Sequence, residues 1–242
     1  MAEIAIPYEY DGSQFEGLLV YDDSVAEKRP GIFVQPDWLG VCSHTVDMAV
    51  DAGGSDYVMM VADMYGVGYG EREKTDDELL ASATGVRGNL PLILGCGTKA
   101  FEALTTEAIE RGLIEPDKIG AIGYCMGGGF ALEQARAGAN FKATVVFHVT
   151  APNPVNPGAA PDFKGRVLAL HGSTDPVTPK PMMDALEEEL TGAEVDWQIM
   201  MFGRGTHSFC VHGANNPPVQ VYDEELCQQS YRMMRDFFVE TF

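Results

Sequence analysis

Apolar and polar residues alternate over residues 3–10 and again over 16–21, with Asp11-Gly12 between the two runs, which predicts a β-hairpin at the start of the chain. A third apolar run, 31–35, ends at Pro36, and residues 44–52 carry helical spacing with Gly53-Gly54 as the stop. Residues 57–62 form a short continuous apolar run, the pattern of a strand covered on both faces. The stretch 75–112 reads as largely helical, broken around 85–91 and 95–97. Strands are also predicted before Gly123 and over 195–202, and buried-type strands over 143–149 and 166–170, with helices from 126, over 181–190 and over 223–239. Strands that alternate with helices imply an α/β fold. The expectation is a mostly parallel central sheet with helices on both faces and the N-terminal antiparallel hairpin at its edge.

At 242 residues, with no internal repeat and no linker long enough to divide it, the chain is read as a single domain, 1–242. Sixteen basic residues against 36 acidic ones give a formal charge of −20, a field that repels nucleic acid and anionic membrane alike. The acidic run 187–189 reads as a solvated helix face. No apolar stretch is long enough for a transmembrane helix, and the N-terminus lacks the features of a secretory signal, so a cytoplasmic location is expected. The five cysteines (42, 96, 125, 210 and 227) are odd in number, widely spaced and without a CxxC pair. That pattern speaks against a disulfide framework and against a zinc site, and fits a reducing compartment with one or two functional thiols.

Residues 118–130 carry the chemistry. A strand-type run stops at Gly123, Cys125 follows in a Gly-x-Cys-x-Gly frame, and small residues open a helix at Met126. This is nucleophile-elbow spacing, with sulfur as the nucleophile. A strand that reverses sharply into a helix crowds its own backbone, so the flanking positions tolerate only glycine. A thiol is mostly protonated at neutral pH and needs a base, and the base needs an orienting carboxylate. In an elbow fold these follow in the order nucleophile, acid, histidine. Asp175 lies just past the strand predicted to end near 170, and His207 just past the one ending near 202. Asp175, as an Asp-Pro dipeptide, also fits a turn, and His207 also fits a surface histidine. His171 and His148 read as structural, and Cys210 lies three residues after His207 with no base of its own. The Pro-rich stretch 151–161 reads equally as a substrate-contacting loop or lid and as plain surface loop.

With these residues in view the chain resembles the dienelactone hydrolase family of α/β-hydrolases. The likeness rests on Gly-Tyr-Cys-Met-Gly-Gly at 123–128, His-Gly-Ser-Thr-Asp-Pro at 171–176 and Gly-Thr-His-Ser-Phe at 205–209. Weaker matches are Pro-Asp-Trp-Leu-Gly at 36–40, Ala-Asp-Met-Tyr-Gly at 62–66 and the tail 222–238. The resemblance implies a carboxymethylenebutenolidase-like hydrolase of lactones or activated carboxylic esters. It would act without a cofactor or metal through a Cys125–His207–Asp175 triad and a thioester acyl-enzyme. It also implies an oxyanion hole made of the backbone amides of Met126 and Trp38. The chain departs from the family's founding members at two places. Asp37 stands where they carry a glutamate that modulates the cysteine, and Val211 stands where they carry a substrate-binding arginine. Arg72 and Arg204 are the candidates left to hold an anionic substrate.

Sulfur is a good leaving group as well as a good nucleophile, so peptides should be poor substrates. Two other readings are carried. One is a thiol redox or peroxide-reactive protein on the same fold, and the other is a non-catalytic ligand-binding homologue. The expected partner is a small ester or lactone, with no nucleic acid and no membrane, and the chain is expected to be a monomer or small homo-oligomer.

Overall fold

The computed structural model describes residues 1–150 and 161–242. The chain divides into two compact units, Met1–Ala121 and Ile122–Phe242. In the first, β1 (Ala2–Tyr10) pairs antiparallel with β2 (Ser13–Tyr21). The pair turns through Asp11 and Gly12, whose φ values of 49° and 73° match the twist of a two-residue hairpin turn. β3 (Arg29–Gln35) is followed by α1 (Ser43–Gly53) and by β4 (Val58–Val61), which lies parallel to β3 and antiparallel to β2. α2 (Asp76–Arg87) opens on a reciprocal cap between Thr75 and Glu78, and α3 (Leu90–Glu110) is capped by the Asn89 side chain. The strand order in this unit is β1-β2-β4-β3-β5, and β5 (Ile114–Tyr124) runs through the division.

In the second unit the order continues β5-β6-β7-β8. α4 (Met126–Arg136) follows β5 and leads to β6 (Ala143–Phe147) and then β7 (Arg166–Gly172). α5 (Lys180–Gly192) and β8 (Trp197–Phe202) come next, and β6, β7 and β8 run parallel. Two-residue strands β9 (Asn215–Asn216) and β10 (Gln220–Val221) pair before the closing helix α6 (Glu224–Thr241). Helices cover both faces here. Val146, Val167 and Ala169 pack with Leu132 of α4 and with Met183, Leu186 and Leu190 of α5. Phe147, one residue on and therefore on the other face, meets Tyr231 of α6 edge to face. Arg136 ties α4 to α5 through two hydrogen bonds to Glu189, at 2.6 and 2.7 Å, and a third to Glu133.

Three expectations are corrected. The helix predicted to break at 95–97 runs through those glycines as α3, because a Cβ at Gly95 would sit 2.2 Å from the Tyr10 ring and its absence lets that ring pack on the helix. The strand predicted over 143–149 ends at Phe147, since His148 takes a left-handed backbone with φ 36°. The cysteines were read as forming no disulfide, yet Cys210 and Cys227 are bonded, with their Cα atoms 4.7 Å apart. The loop after β8 folds under the first turns of α6 and buries both sulfurs, a proximity that sequence spacing does not register. Residues 151–160, most of the stretch read as a loop or lid, lie outside the described residues.

Candidate active site

Cys125 sits between the last residue of β5 and the first of α4, with φ 52°. A left-handed backbone costs a residue bearing a Cβ about 1–2 kcal/mol, and such strain persists only where the surroundings enforce it. The surroundings do so here. The Cys125 N–H donates to the Phe147 carbonyl at 3.1 Å, and the Cys125 carbonyl accepts from Thr150 N–H at 2.9 Å and Gly128 N–H at 3.1 Å. A Cβ on Gly123 would lie 2.4 Å from the Gly127 carbonyl oxygen, so the turn closes only with glycine there. Gly123→Ala is therefore expected to cost about 2–3 kcal/mol or more of unfolding free energy, read as a lower urea midpoint at unchanged m-value. An unshifted midpoint would show that the elbow has slack.

The Cys125 sulfur lies at the N-terminus of α4, where backbone N–H groups without helical partners and the helix dipole favour negative charge. Its Sγ is 3.0 Å from His207 Nε2, and His207 Nδ1 is 2.7 Å from Asp175 Oδ2. A carboxylate only accepts, so Nδ1 carries a proton and Nε2 is left to exchange one with the sulfur. Asp175 and His207 are buried, while Cys125 is partly exposed. Burial opposes a charged His207, but the Cys125 sulfur and the Asp175 carboxylate outweigh it and raise its pKa to about 10. Hence the proton shared with Cys125 is drawn toward the imidazole. The carboxylate is itself held, because Asp175 Oδ1 accepts from the N–H groups of Val177 and Thr178 at 2.7 and 3.0 Å. The loops bearing Asp175 and His207 are joined as well, with Thr174 donating from both its N–H and its hydroxyl to the Gly205 carbonyl.

Three neighbours were not singled out from the sequence as part of a site. The Thr150 hydroxyl lies 3.6 Å from Cys125 Sγ. His171, in β7, is fully buried, with Nε2 2.9 Å from the Thr178 carbonyl and 3.6 Å from Asp175 Oδ2, and burial lowers its pKa. His148 is fully buried, stands edge to face against His207 with ring centroids 5.5 Å apart, and has no hydrogen-bond partner among the described residues at either ring nitrogen. Burial and the neighbouring His207 and His171 lower its pKa, so it stays neutral. Leaving a buried polar group unpaired costs about 1–3 kcal/mol. An apolar run in the sequence hides all of this.

The remaining candidates fall as follows. Met126 begins α4, so its N–H has no partner within the helix. Asp37 is buried, its Oδ1 accepting from Leu39 N–H at 2.9 Å and its Oδ2 lying 3.8 Å from His44 Nε2. The Trp38 carbonyl accepts from the Tyr69 hydroxyl at 3.2 Å. Arg72 lies over the Tyr69 ring at 5.7 Å and lines a groove of about 660 Å³ with Tyr65, Phe15 and Leu92. Arg204 stands apart from the triad's hydrogen bonds as an exposed ion pair, 3.0 Å from Asp223 and 2.5 Å from Glu225. Cys210 is occupied by its bond to Cys227, and Cys96 is buried, its thiol pushed up to about 12 by burial and by Asp63. Among the described residues no group of three or more His, Cys, Asp or Glu is placed to hold a metal ion, and no helix is long and apolar enough to cross a membrane.

Comparison with known proteins gives this geometry a family. The dienelactone hydrolase family model matches residues 15–242. A Bradyrhizobium protein named "Probable 2-oxo-3-(5-oxofuran-2-ylidene)propanoate lactonase" is 22% identical over 219 residues, 86% of each chain. A solved structure called m3DLH superposes with a TM-score of 0.88 at 32% identity, covering 100% of this chain and 98% of its own. A dienelactone hydrolase-like promiscuous phosphotriesterase, P91, from metagenomic libraries, gives 0.86 at 28% identity, covering 100% of this chain and 98% of its own. With the mostly parallel sheet, the elbow and the full-length match agreeing, the chain belongs to the dienelactone hydrolase family of the α/β-hydrolase fold and is an ester- and lactone-hydrolysing enzyme.

Proposed function

We propose that this protein hydrolyses lactones and activated carboxylic esters through a Cys125–His207–Asp175 triad and a thioester acyl-enzyme. The observation that carries the reading is the unbroken hydrogen-bonded line from Cys125 Sγ through His207 to the twice-anchored carboxylate of Asp175. His207 Nε2 takes the thiol proton as sulfur bonds to the carbonyl carbon. The oxyanion is held by the free N–H of Met126 at the head of α4. On the family likeness alone, the amide of Trp38 is taken as second donor. As the carbon–oxygen ester bond breaks, the Nε2 proton passes to the departing oxygen. Water then attacks the thioester, His207 takes its proton, and sulfur leaves and is reprotonated.

The lactonase relative supports an enol lactone as substrate, since an enolate leaves more readily than an alkoxide and competes with thiolate expulsion. On the same footing Arg72 is the arginine kept as candidate for an anionic group, because Arg204 is already paired with two carboxylates. Asp37, bonded within its own turn, fits a role in shaping that turn. The continuous family match from 15 to 242 supports reading the chain as one domain. The test is mass spectrometry of protein quenched during turnover of an activated ester. An adduct of one acyl group on the Cys125 peptide, lost on hydroxylamine treatment, is expected. Turnover of the ester by protein whose Cys125 has been fully alkylated would refute the triad.

A further inference from the structure

We propose that His148 is a positioning residue that sets the plane of the catalytic imidazole of His207, acting as a neutral ring packed edge to face against it. The inference rests on the triad reading above. Two hydrogen bonds, at Nδ1 to Asp175 and at Nε2 to Cys125, fix a line across the His207 ring. Neither bond is rigid, and a turn about the His207 Cα–Cβ or Cβ–Cγ bond tilts the ring and swings Nε2 off the sulfur. What resists the tilt is packing. The His148 ring stands at 71° to His207 with centroids 5.5 Å apart, and is itself backed by Phe209 at 5.2 Å and 84°.

The backbone around His148 is built to hold that ring in one place. Its φ of 36° is strained for a side chain with a Cβ, and its N–H is tied to the Leu170 carbonyl of β7 at 2.8 Å. The residue before it, Phe147, accepts from the Cys125 N–H, and Thr150, two residues on, donates to the Cys125 carbonyl. One short segment therefore grips the nucleophile's backbone on either side of the ring that abuts the base. The spacing of sulfur and imidazole is set by a common support. With 0% exposure His148 cannot reach substrate, so it acts only through His207. Among the described residues its ring nitrogens meet no hydrogen-bond partner.

The test uses His148→Ala, His148→Leu and His148→Phe in the full-length protein, read on an activated ester and on the pH dependence of Cys125 alkylation by iodoacetamide. His148→Ala and His148→Leu are expected to lower kcat about 10–100-fold with KM within about twofold. The alkylation profile should move to higher pH, because a tilted His207 no longer draws the thiol proton. His148→Phe, which restores a flat ring and removes the unpaired nitrogens, should recover kcat to within about threefold and raise the thermal midpoint by several degrees. A fall in thermal midpoint with kcat and the alkylation profile unchanged in His148→Ala and His148→Leu would reduce His148 to a core residue. A folded His148→Phe as impaired as His148→Ala would also overturn the proposal, since the ring would then not be what matters. Should Cys125→Ala retain full activity, the triad reading itself fails. Should it be inactive while His148→Ala is unaffected, only this inference fails.

Discussion

Cys125→Ala is expected to lower kcat on an activated ester such as p-nitrophenyl acetate by about 10⁴-fold or more, with a thermal midpoint close to that of the unaltered protein. Removing a nucleophile removes the covalent path, and what survives is transition-state binding by backbone donors acting on direct water attack. Those donors are untouched. The amide of Met126 belongs to α4, and the Cys125 backbone bonds to Phe147, Gly128 and Thr150 do not involve the sulfur. Alanine also carries a Cβ, so the strain at φ 52° is the same before and after. The two readouts thus separate chemistry from folding. A variant that hydrolysed the ester at a comparable rate would place the nucleophile elsewhere and remove the reason for the elbow.

Asp175→Asn is the second large effect, a fall in kcat of about 10³–10⁴-fold with little change in fold. Asp175 uses its two oxygens differently. Oδ1 accepts from Val177 and Thr178 amides, and Oδ2 accepts from His207 Nδ1. An asparagine keeps its carbonyl on the two loop amides and turns its NH₂ toward the imidazole. A donor then faces a donor, so His207 switches tautomer and presents Nε2–H to the sulfur, where it cannot accept the thiol proton. Loss of the carboxylate also removes one of the two charges that raise His207 to about 10, so less of the imidazolium form survives at neutral pH. The same variant should therefore show Cys125 alkylation displaced to higher pH. Unaltered kcat would mean that the carboxylate shapes the loop and nothing more. The thiol-redox reading predicts that indifference, but Cys210, three residues after His207, is bonded to Cys227 and is no free resolving thiol.

Much of the site was legible in the chain because local rules write it. The elbow demands glycine at 123 and a small-residue helix start, and both are dictated by the backbone within five residues of Cys125. Asp175 and His207 were singled out because each follows a predicted strand, and strand ends are where loops meet. Arg204, singled out for its charge and its place near a site loop, pairs with Asp223 and Glu225 at the start of α6, contacts that sequence distance does not reveal.

Order along the chain and residue chemistry, then, determined the class of fold and singled out Cys125, Asp175 and His207, which the structure brings within hydrogen-bond distance in a line through His207, since these depend on backbone sterics and on what each side chain can do. Only the tertiary structure decided that Cys210 meets Cys227, that helix α3 survives its glycines because Tyr10 fills the gap, and that His148 leaves its strand to face His207. Each of these joins residues distant in the chain, and their energies come from packing and burial, which depend on what surrounds a residue in space.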